Sequence, residues 1–514
     1  MKSNKSPILK LALFATGLSG IVAEYILSTL ATYFIGDSAI QWSLIVSVML
    51  FSMGLGSRLS KYMEGDLLVK FIWVEFILSI LVSFSSLFAY TMAGVSEFTG
   101  VFIYGLSIAI GLLIGLEIPL VIRLNETFES LKVNIASVME KDYLGSLVGG
   151  LFFAFVGLPY LGLTYTPFIL GAINLMVALL LLFSVKREIK KRTLGWVTAS
   201  GTAIAALIIT GVFLAQPIIL FGEQARYKDK IVYAKQSRYQ RIVMTQWKNH
   251  YWLYLNGNQQ LSTIDEDKYH EPLVHPIMQL AKQKSDILIL GGGDGCAVRE
   301  LLKYPEVRHI TMIDLDSVMT NLGQKHPILT RLNKNAMNDP RVEIINTDGF
   351  NYLEKATNFY DIIIVDLPDP RSVELNRLYT EEFYTLCHRN LRPQGLMITQ
   401  AGSPYYATKA FLCIDKTMEA AGFETAKLHN QVITLGEWGW VMGSKLQSDK
   451  PLKEDLQQLY FDDVETRWIN HDAMQLMTSF GKDIYVPQSD SIAINKIQHP
   501  VLYRYYLKGN WDLY

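Results

Sequence analysis

Apolar residues fill the first 220 positions of the chain in seven long stretches, separated by short polar segments. Each stretch is close to the ~20 residues that a helix needs to cross the hydrocarbon core of a bilayer. The pattern predicts a polytopic α-helical membrane domain over residues 1–220, with about seven helices near residues 8–34, 39–60, 67–92, 98–122, 142–163, 164–185 and 194–219.

The pattern changes after residue 221, where charged residues become frequent and apolar runs become short. Short runs in which apolar and polar residues alternate, with Asn256-Gly257 as a turn, predict a small β-rich subdomain over residues 221–285. Five apolar runs then alternate with helix-like segments, as in a parallel sheet covered on both faces. We expect a Rossmann-like α/β domain over residues 286–445, with its ligand at the carboxyl ends of the strands. Residues 446–514 form a C-terminal extension that the pattern does not place.

The composition supports this division. Half of the residues are hydrophobic (50%) and only 18% are charged, whereas soluble proteins have about 25% charged residues, so part of the chain should lie in lipid. The soluble half has no basic run interleaved with aromatic residues, so we expect no nucleic-acid partner. Cys296, Cys387 and Cys413 lack metal-ligand spacing and fit a reducing compartment.

Charges in and around the apolar stretches bear on topology. Lys and Arg gather in alternate loops, including residues 186–192, so the positive-inside rule puts the N-terminus in the cytoplasm.

Carboxylates inside the apolar stretches are costly in lipid. Glu24, Glu75 and Glu117 therefore either mark a cation path or pair with Lys141 or with hydrogen-bond partners between helices. Two glycine pairs predict close helix packing: Gly111 with Gly115, and Gly145 with Gly149.

A glycine loop follows the first strand of the α/β domain and reads Gly291-Gly292-Gly293-Asp294-Gly295. Its glycines allow a ligand to approach the backbone closely. The lysine and Ser/Thr of a phosphate-binding P-loop do not follow it, and the acidic residue Asp294 would repel a phosphate. The loop therefore favours a nucleoside ligand without phosphate groups.

Further carboxylates follow the next three strands. Asp314, about 20 residues after the glycines, suits hydrogen bonding to ribose hydroxyls, which points to a ligand of the S-adenosylmethionine type. Asp348-Gly349 and the pair Asp366 and Asp369 come after the third and fourth strands. So many carboxylates at one edge of a sheet are costly unless a cation binds among them.

With these motifs the chain resembles the aminopropyltransferase family, most closely its spermidine synthases. The resemblance rests on motifs at residues 237–240, 255–260, 265–271, 287–300, 314–316, 348–350 and 366–370. It implies a methyltransferase-type fold and transfer of the aminopropyl group of decarboxylated S-adenosylmethionine to a diamine, with putrescine giving spermidine and methylthioadenosine leaving. It implies no cofactor besides this co-substrate and no metal.

The resemblance also implies a role for each matching residue. Asp294 would bind the aminopropyl ammonium and Asp314 the ribose, while Asp348 and Gly349 would meet the adenine and Gln240 the nucleoside. In the amine site Asp366 would accept the proton of the attacking amine. The other amine-site residues would hold or line the acceptor: Asp369, Tyr269 and His270.

Four departures from the family pattern are visible. Cys296 replaces a glycine, and Leu367-Pro368 replaces a pair of serines. Ser372-Val373 and His429-Asn430-Gln431 replace proline-containing stretches that touch the amine pocket. The last two changes affect the choice of amine more than the reaction.

Two other functions compete with aminopropyl transfer. A methyltransferase would share the fold, but it needs a pocket for the methionine carboxylate, which Asp294 opposes. A non-catalytic polyamine transporter or sensor would use the intramembrane carboxylates.

The expected location follows from the apolar stretches. We expect a multi-pass protein of a bacterial inner membrane, and the protein could form a homo-oligomer. If the seventh stretch spans the membrane, the catalytic domain lies outside; if that stretch is re-entrant or interfacial, the domain lies inside. Because the donor is made in the cytosol, we expect the cytosolic face.

Overall fold

The computed structural model describes residues 5–126, 130–446, 450–481 and 491–511. The chain divides into two compact units, Met1–Ile231 and Val232–Tyr514. The first unit is helical and the second contains a small and a large β-sheet. The division falls inside the first strand.

The helices of the first unit cover all seven apolar stretches of the sequence. The third stretch is bent by 51° at Phe84 and forms two helices. A π-helical segment, Phe153–Leu161, follows the sixth helix. The helices are α1 (Lys5–Ile35), α2 (Ser38–Leu59), α3 (Leu67–Ser83), α4 (Ser85–Val95), α5 (Thr99–Asn125), α6 (Leu131–Phe152), α7 (Gly162–Val185) and α8 (Lys191–Gln224).

Several of these helices could cross a membrane. Five helical runs of the described chain are long and apolar enough, or six when the bent pair α3–α4 is counted as one span. One run, Leu131–Val185, has 55 residues, about 80 Å as a straight helix and more than twice the hydrocarbon core. Gly162 interrupts it with a φ of 63°, so α6 and α7 are separate helices. The seventh stretch forms the continuous helix α8 and makes no re-entrant turn.

Close packing in the first unit depends on small residues. A Cβ atom on Gly115 would lie 2.0 Å from the carbonyl oxygen of Met53 on α2, and one on Gly145 would lie 2.1 Å from that of Phe14 on α1. The prediction of close helix packing at the two glycine pairs is therefore confirmed, because any larger residue would force these helices apart.

The carboxylates of the apolar stretches lie inside the helical unit. Glu75 and Glu117 are fully buried and Glu24 nearly so. The hydroxyl of Thr16 donates a hydrogen bond to Glu117, whereas Lys141 pairs with its neighbour Glu140 at 2.8 Å. The suggested pairing with Lys141 is thus wrong, and a hydrogen bond between helices holds at least Glu117.

The second unit begins with a four-stranded sheet of order β1-β2-β3-β4. The β3–β4 hairpin turns at Asn256 and Gly257, whose φ angles of 51° and 82° suit the predicted Asn-Gly turn. The strands are β1 (Lys230–Gln236), β2 (Arg241–Trp247), β3 (His250–Leu255) and β4 (Asn258–Ser262).

The large sheet has seven strands in the order β10-β11-β9-β8-β5-β6-β7. The central strands β5 to β9 are parallel, and β10 and β11 extend one edge with antiparallel pairing. The strands are β5 (Asp286–Gly291), β6 (His309–Asp314), β7 (Val342–Asn346), β8 (Tyr360–Asp366), β9 (Leu391–Gly402), β10 (Glu424–Val432) and β11 (Gly436–Ser444).

Helices cover both faces of this sheet and bury its apolar strands. The described helices of the second unit, of which α11 and α12 pack against the small sheet, are α9 (Asp267–Leu280), α10 (Cys296–Leu301), α11 (Ser317–Lys325), α12 (Pro327–Leu332), α13 (Gly349–Lys355), α14 (Val373–Asn376), α15 (Glu381–Asn390), α16 (Thr408–Ala420), α17 (Leu452–Leu456), α18 (His471–Met477) and α19 (Leu502–Leu507). The predicted Rossmann-like α/β architecture is confirmed.

The strand order places the ligand cleft. The chain leaves β5 towards β6 and β7 on one side, and returns through β8 and β9 on the other. Such a reversal opens a crevice at the carboxyl ends of the two strands. Here those ends carry Gly291 and Asp366, which are register partners.

The C-terminal extension, which the sequence pattern could not place, packs on the large sheet. Residues from α17 and α18 join the core beside α9 and β10. The last described segment, residues 491–511, packs against α16, and its helix α19 buries Leu502 and Tyr506 in the core on the opposite face.

Candidate active site

The glycine loop is tied directly to the end of β8. Gly291 has a φ of 89°, and a Cβ atom there would lie 2.0 Å from the carbonyl oxygen of Asp366. The amide of Gly292 donates to that same oxygen at 3.0 Å. Only glycine fits this combination of a left-handed backbone and a close approach, so the loop holds Asp366 at the mouth of the cleft.

Asp366 is the carboxylate at the centre of the site. Its Oδ1 accepts a hydrogen bond of 2.7 Å from the hydroxyl of Tyr269 on α9. Burial raises the pKa of Asp366 to about 6, and nearby Asp294 adds to the rise, while the cation of His270 and the Tyr269 hydrogen bond oppose it. A carboxylate with this pKa is ionised at neutral pH and can still accept a proton effectively.

His270 lies next to Tyr269 and is buried. Its Nδ1 is 2.9 Å from Glu266 Oε2, and its Nε2 is 3.7 Å from Asp294 Oδ1. Burial lowers the pKa of His270, but the Glu266 hydrogen bond and the carboxylates of Asp294 and Asp366 outweigh it and raise the pKa to about 9. The imidazole is therefore a cation at neutral pH, placed among carboxylates.

Glu266 connects this histidine to an arginine that sequence reasoning missed. Arg299 donates to both oxygens of Glu266, with Nη1 at 2.8 Å and Nη2 at 2.9 Å. Although burial alone would raise it, the pKa of Glu266 is lowered to about 2 by His270 and Arg299. Charges thus alternate in sign from Arg299 through Glu266 and His270 to Asp294. The sequence places Arg299 just after the glycine loop but gives no sign of its partner.

Asp314 ends β6 and faces the glycine loop. A Cβ atom on Gly293 would lie 2.8 Å from its Oδ2, while Oδ1 accepts from the amide of Asp316 at 2.8 Å. Burial raises the pKa of Asp314 to about 6, against the Asp316 amide hydrogen bond that lowers it. Gln240, just before β2, joins this group by donating from Nε2 to Asp316 Oδ2 at 3.0 Å.

Asp348 and Gly349 lie at the end of β7. Asp348 Oδ1 caps α13 by accepting from the amide of Asn351 at 2.8 Å, and it also accepts from Arg377 Nη2 at 3.1 Å. The structure therefore brings this pair to the same sheet edge as Asp314. One oxygen of Asp348 serves the helix cap.

Asp369 lies in the turn after β8 and is engaged on one oxygen. Its Oδ2 accepts from the hydroxyl of Tyr506 at 2.5 Å and from Arg371 Nη2 at 3.3 Å. Sequence reasoning assigned neither residue. Arg371 is two positions from Asp369 and could have been noticed, whereas Tyr506 is separated from it by 137 residues and carries no local signal.

The departures from the family pattern lie close to the same site. Cys296, at the start of α10, is fully buried and donates its amide to Asp294 Oδ1 at 2.8 Å. Asn430 on β10 donates from Nδ2 to the carbonyl of Lys268, the residue before Tyr269, at 2.7 Å. This change therefore lies in the wall behind the Tyr269 side of the cleft.

Among the residues that the structure describes, three groups of side chains have ligand atoms within 4.8 Å of one another and could hold a metal ion by distance alone. The group in the cleft contains His270, Asp294 and Asp366. A protonated imidazole has no lone pair for a metal, so a metal ion and the protonated form of His270 exclude each other in this group. The other groups are Glu266, His270 and Cys296, and Glu271, His275 and Glu300.

Comparisons with known proteins indicate the family of the chain. Residues 266–454 match the family model described as the spermine/spermidine synthase domain. A polyamine aminopropyltransferase 2 of Aquifex aeolicus is 42% identical over 504 residues, covering 98% of this chain and 99% of that protein. A polyamine aminopropyltransferase of Oceanobacillus iheyensis is 37% identical, with 97% and 96% covered. A spermidine synthase solved with the transition state analogue AdoDATO shares 27% identity and a TM-score of 0.45, covering 49% of this chain and 86% of that one.

Proposed function

The chain belongs to the polyamine aminopropyltransferase family, and from that premise we propose that it makes spermidine from putrescine and decarboxylated S-adenosylmethionine. The observation that carries the proposal is the position of Asp366, a carboxylate with a pKa of about 6, held by Tyr269 at the strand reversal beside Asp294. Both substrates are cations, and this edge of the sheet offers carboxylates to both.

The proposed chemistry is a single substitution. Asp366 first takes a proton from the reacting ammonium of putrescine, because only the neutral amine has a lone pair with which to attack. The nitrogen then attacks the carbon next to the sulfonium, so that a C–N bond forms as the C–S bond breaks. The sulfur takes the electron pair and leaves as the neutral thioether of methylthioadenosine, the new secondary ammonium leaves with the product, and Asp366 returns its proton to solvent.

The donor occupies the side of the cleft between β5 and β7. Asp294 binds its aminopropyl ammonium and Asp314 holds the ribose hydroxyls, with Gln240 closing over the nucleoside through its bond to Asp316. Asp348 and Gly349 meet the adenine. Asp348 uses Oδ1 for its helix cap and its ion pair, which leaves Oδ2 for the adenine amino group.

The acceptor occupies the side of β8. Tyr269 and His270 line it, and Asp369 binds the ammonium that does not react. A four-carbon diamine presents two amines at a fixed separation, so one can reach Asp366 while the other is held. Assays with putrescine, with longer diamines and with spermidine test this choice. Preference for a longer acceptor would contradict it.

We propose that no metal or further cofactor takes part. The substrate ammonium groups supply the positive charge that the carboxylates need, and protonated His270 supplies the rest. Activity should be unchanged after treatment with a metal chelator and dialysis. Loss of activity that returns with one divalent metal would overturn this point.

We further propose that the helical unit spans the cell membrane of a bacterium and that catalysis takes place at the cytosolic face. The apolar helices and the alternation of basic loops support insertion. Seven crossings from a cytosolic N-terminus would end outside. Six crossings would return Val232–Tyr514 to the cytosol, and that number keeps every basic loop inside only if α8 is the segment that does not cross, because a re-entrant α3–α4 pair would put residues 186–192 outside.

Cysteine labelling on whole cells tests this topology, because Cys296, Cys387 and Cys413 are all buried. Thr357→Cys, on an exposed loop of the second unit, should react with an impermeant reagent only after lysis. Ala39→Cys, at the exposed start of α2, is the control that should react on intact cells. Labelling of both on intact cells would place catalysis outside.

A further inference from the structure

Asp369 is held by the last described segment of the chain. Tyr506 on α19 is buried, and its hydroxyl donates to Asp369 Oδ2 at 2.5 Å. Arg371 donates to the same oxygen at 3.3 Å and to the Tyr506 hydroxyl oxygen at 3.1 Å. No described residue donates a hydrogen bond to the other oxygen, Oδ1. One oxygen of Asp369 is thus fixed while the other is left for a ligand.

The position of Tyr506 is set by the segment around it. Trp511 donates from Nε1 to the carbonyl of Tyr506 at 2.7 Å, and the two rings lie 4.6 Å apart. The guanidinium of Arg371 lies 5.3 Å from the Tyr506 ring. Gly402 also lies beside the ring, and a Cβ atom there would be 3.4 Å from Tyr506 Cε2. The phenol therefore meets Asp369 from a packed position.

The segment is anchored at a second point, on the short helix Arg377–Tyr379. Asn495 is fully buried; its Nδ2 donates to the carbonyl of Tyr379 at 2.9 Å and its Oδ1 accepts from the amide of Val501 at 3.1 Å. Tyr379 in turn donates to the carbonyl of Pro368 at 3.0 Å. The segment and the turn that carries Asp369 are thus joined independently of Tyr506.

The charge state of Tyr506 suits a hydrogen-bond donor. Burial raises its pKa well above the ordinary value, and the Asp369 carboxylate adds to the rise. The phenol is therefore protonated at neutral pH. It can therefore donate to Asp369 continuously, and this bond restricts the rotation of the carboxylate.

We propose that the C-terminal segment 491–511 is part of the amine-acceptor site, with Tyr506 as a positioning residue that fixes Asp369 so that Oδ1 faces the acceptor ammonium. Arg371 assists by holding the same oxygen. The inference deepens the proposed function and rests on its assignment of Asp369 to the acceptor. It assigns a role in acceptor binding to the C-terminal extension, which the sequence pattern did not place.

The test measures steady-state constants of the full chain in detergent with decarboxylated S-adenosylmethionine and putrescine. Tyr506→Phe removes only the hydroxyl and should raise the KM for putrescine about tenfold, while kcat and the donor KM change less than twofold. Tyr503→Phe is the matched control on the same helix, since Tyr503 does not touch Asp369, and all its constants should equal those of the wild type.

A double-mutant cycle separates positioning from a structural role. In an Asp369→Asn background, Tyr506→Phe should add little to the KM for putrescine, because the two residues act through one contact. Arg371→Gln, at a more exposed position, should raise the acceptor KM in the same selective way and serves if Tyr506→Phe folds poorly.

The outcomes are distinguishable. If the wild-type protein transfers nothing to any diamine, the proposed function fails first. If it is active and Tyr506→Phe and Arg371→Gln keep the wild-type KM for putrescine, only this inference is overturned. A fall in kcat with an equal rise in both substrate constants, or full additivity with Asp369→Asn, also overturns it.

Discussion

Gly291 and Asp366 are register partners at the ends of two neighbouring parallel strands, and the carbonyl oxygen of Asp366 accepts the amide of Gly292 at 3.0 Å. The glycine loop and the proposed proton acceptor are therefore one structural unit. A change in the loop should move Asp366, and a change in Asp366 should act on a site that the loop has already shaped.

Gly291→Ala should be strongly destabilising, because a Cβ atom there would lie 2.0 Å from a backbone oxygen at a φ of 89°. We expect a loss of roughly 3 kcal/mol or more in unfolding free energy, measured by denaturant unfolding of the second unit in the full chain. The matched control is Gly349→Ala, where the nearest atom would be 3.6 Å away and the loss should stay below about 1 kcal/mol. Equal losses would contradict the close approach.

Asp366→Asn should lower kcat by roughly 10²–10⁴-fold, because the amide cannot accept the proton of the attacking amine. The donor affinity, measured by calorimetry, should change little. Asp369→Asn makes the same charge change three residues away and should instead raise the KM for the amine with a smaller effect on kcat. If the two variants exchange these phenotypes, the assignment of proton acceptor and amine holder is reversed.

The pH dependence should report Asp366. Its pKa of about 6 predicts that kcat/KM for the donor falls about tenfold per pH unit below pH 6, because the carboxylate is the active form. Tyr269→Phe removes a hydrogen bond that stabilises the carboxylate, so the acid limb should move to higher pH. A limb that stays in place or moves down would show that another group controls it.

His270 should make the stability of the second unit depend on pH. Its folded-state pKa of about 9 lies above the ordinary value of 6.5. This contribution to the free energy of unfolding is therefore fully present below about pH 6.5 and is lost as the pH rises through 9, which amounts to about 3 kcal/mol. His270→Gln cannot titrate and should show a flatter profile of unfolding free energy between pH 6.5 and 9.5. Parallel profiles would mean that His270 is not charged in the folded protein.

The sequence predicted those parts that depend on local patterns. Apolar runs of helix length, buried strands and glycines at a strand end each follow from short-range rules, and they placed Asp294, Asp314 and Asp366 at one sheet edge. The pairing of Gly291 with Asp366 could be expected only once the strand order was known. Strand order depends on contacts between distant segments, which single-sequence patterns do not encode.

The missed residues share that cause. Tyr506 reaches Asp369 from a segment whose own sequence has no strand or helix pattern strong enough to place it. The ion pair of Arg299 with Glu266 crosses from α10 to the start of α9, and a charged residue after a glycine loop gives no partner by itself. The suggested pairing of membrane carboxylates with Lys141 failed because Glu140, its neighbour, was available.

One measurement tests the central claim most directly. The purified full chain is incubated with putrescine and either decarboxylated S-adenosylmethionine or the intact compound, and the products are separated by mass. We expect spermidine and methylthioadenosine in equal amounts from the decarboxylated donor, and no product from the intact one. Turnover of the intact donor with methyl transfer, and none of the decarboxylated donor, would contradict the account.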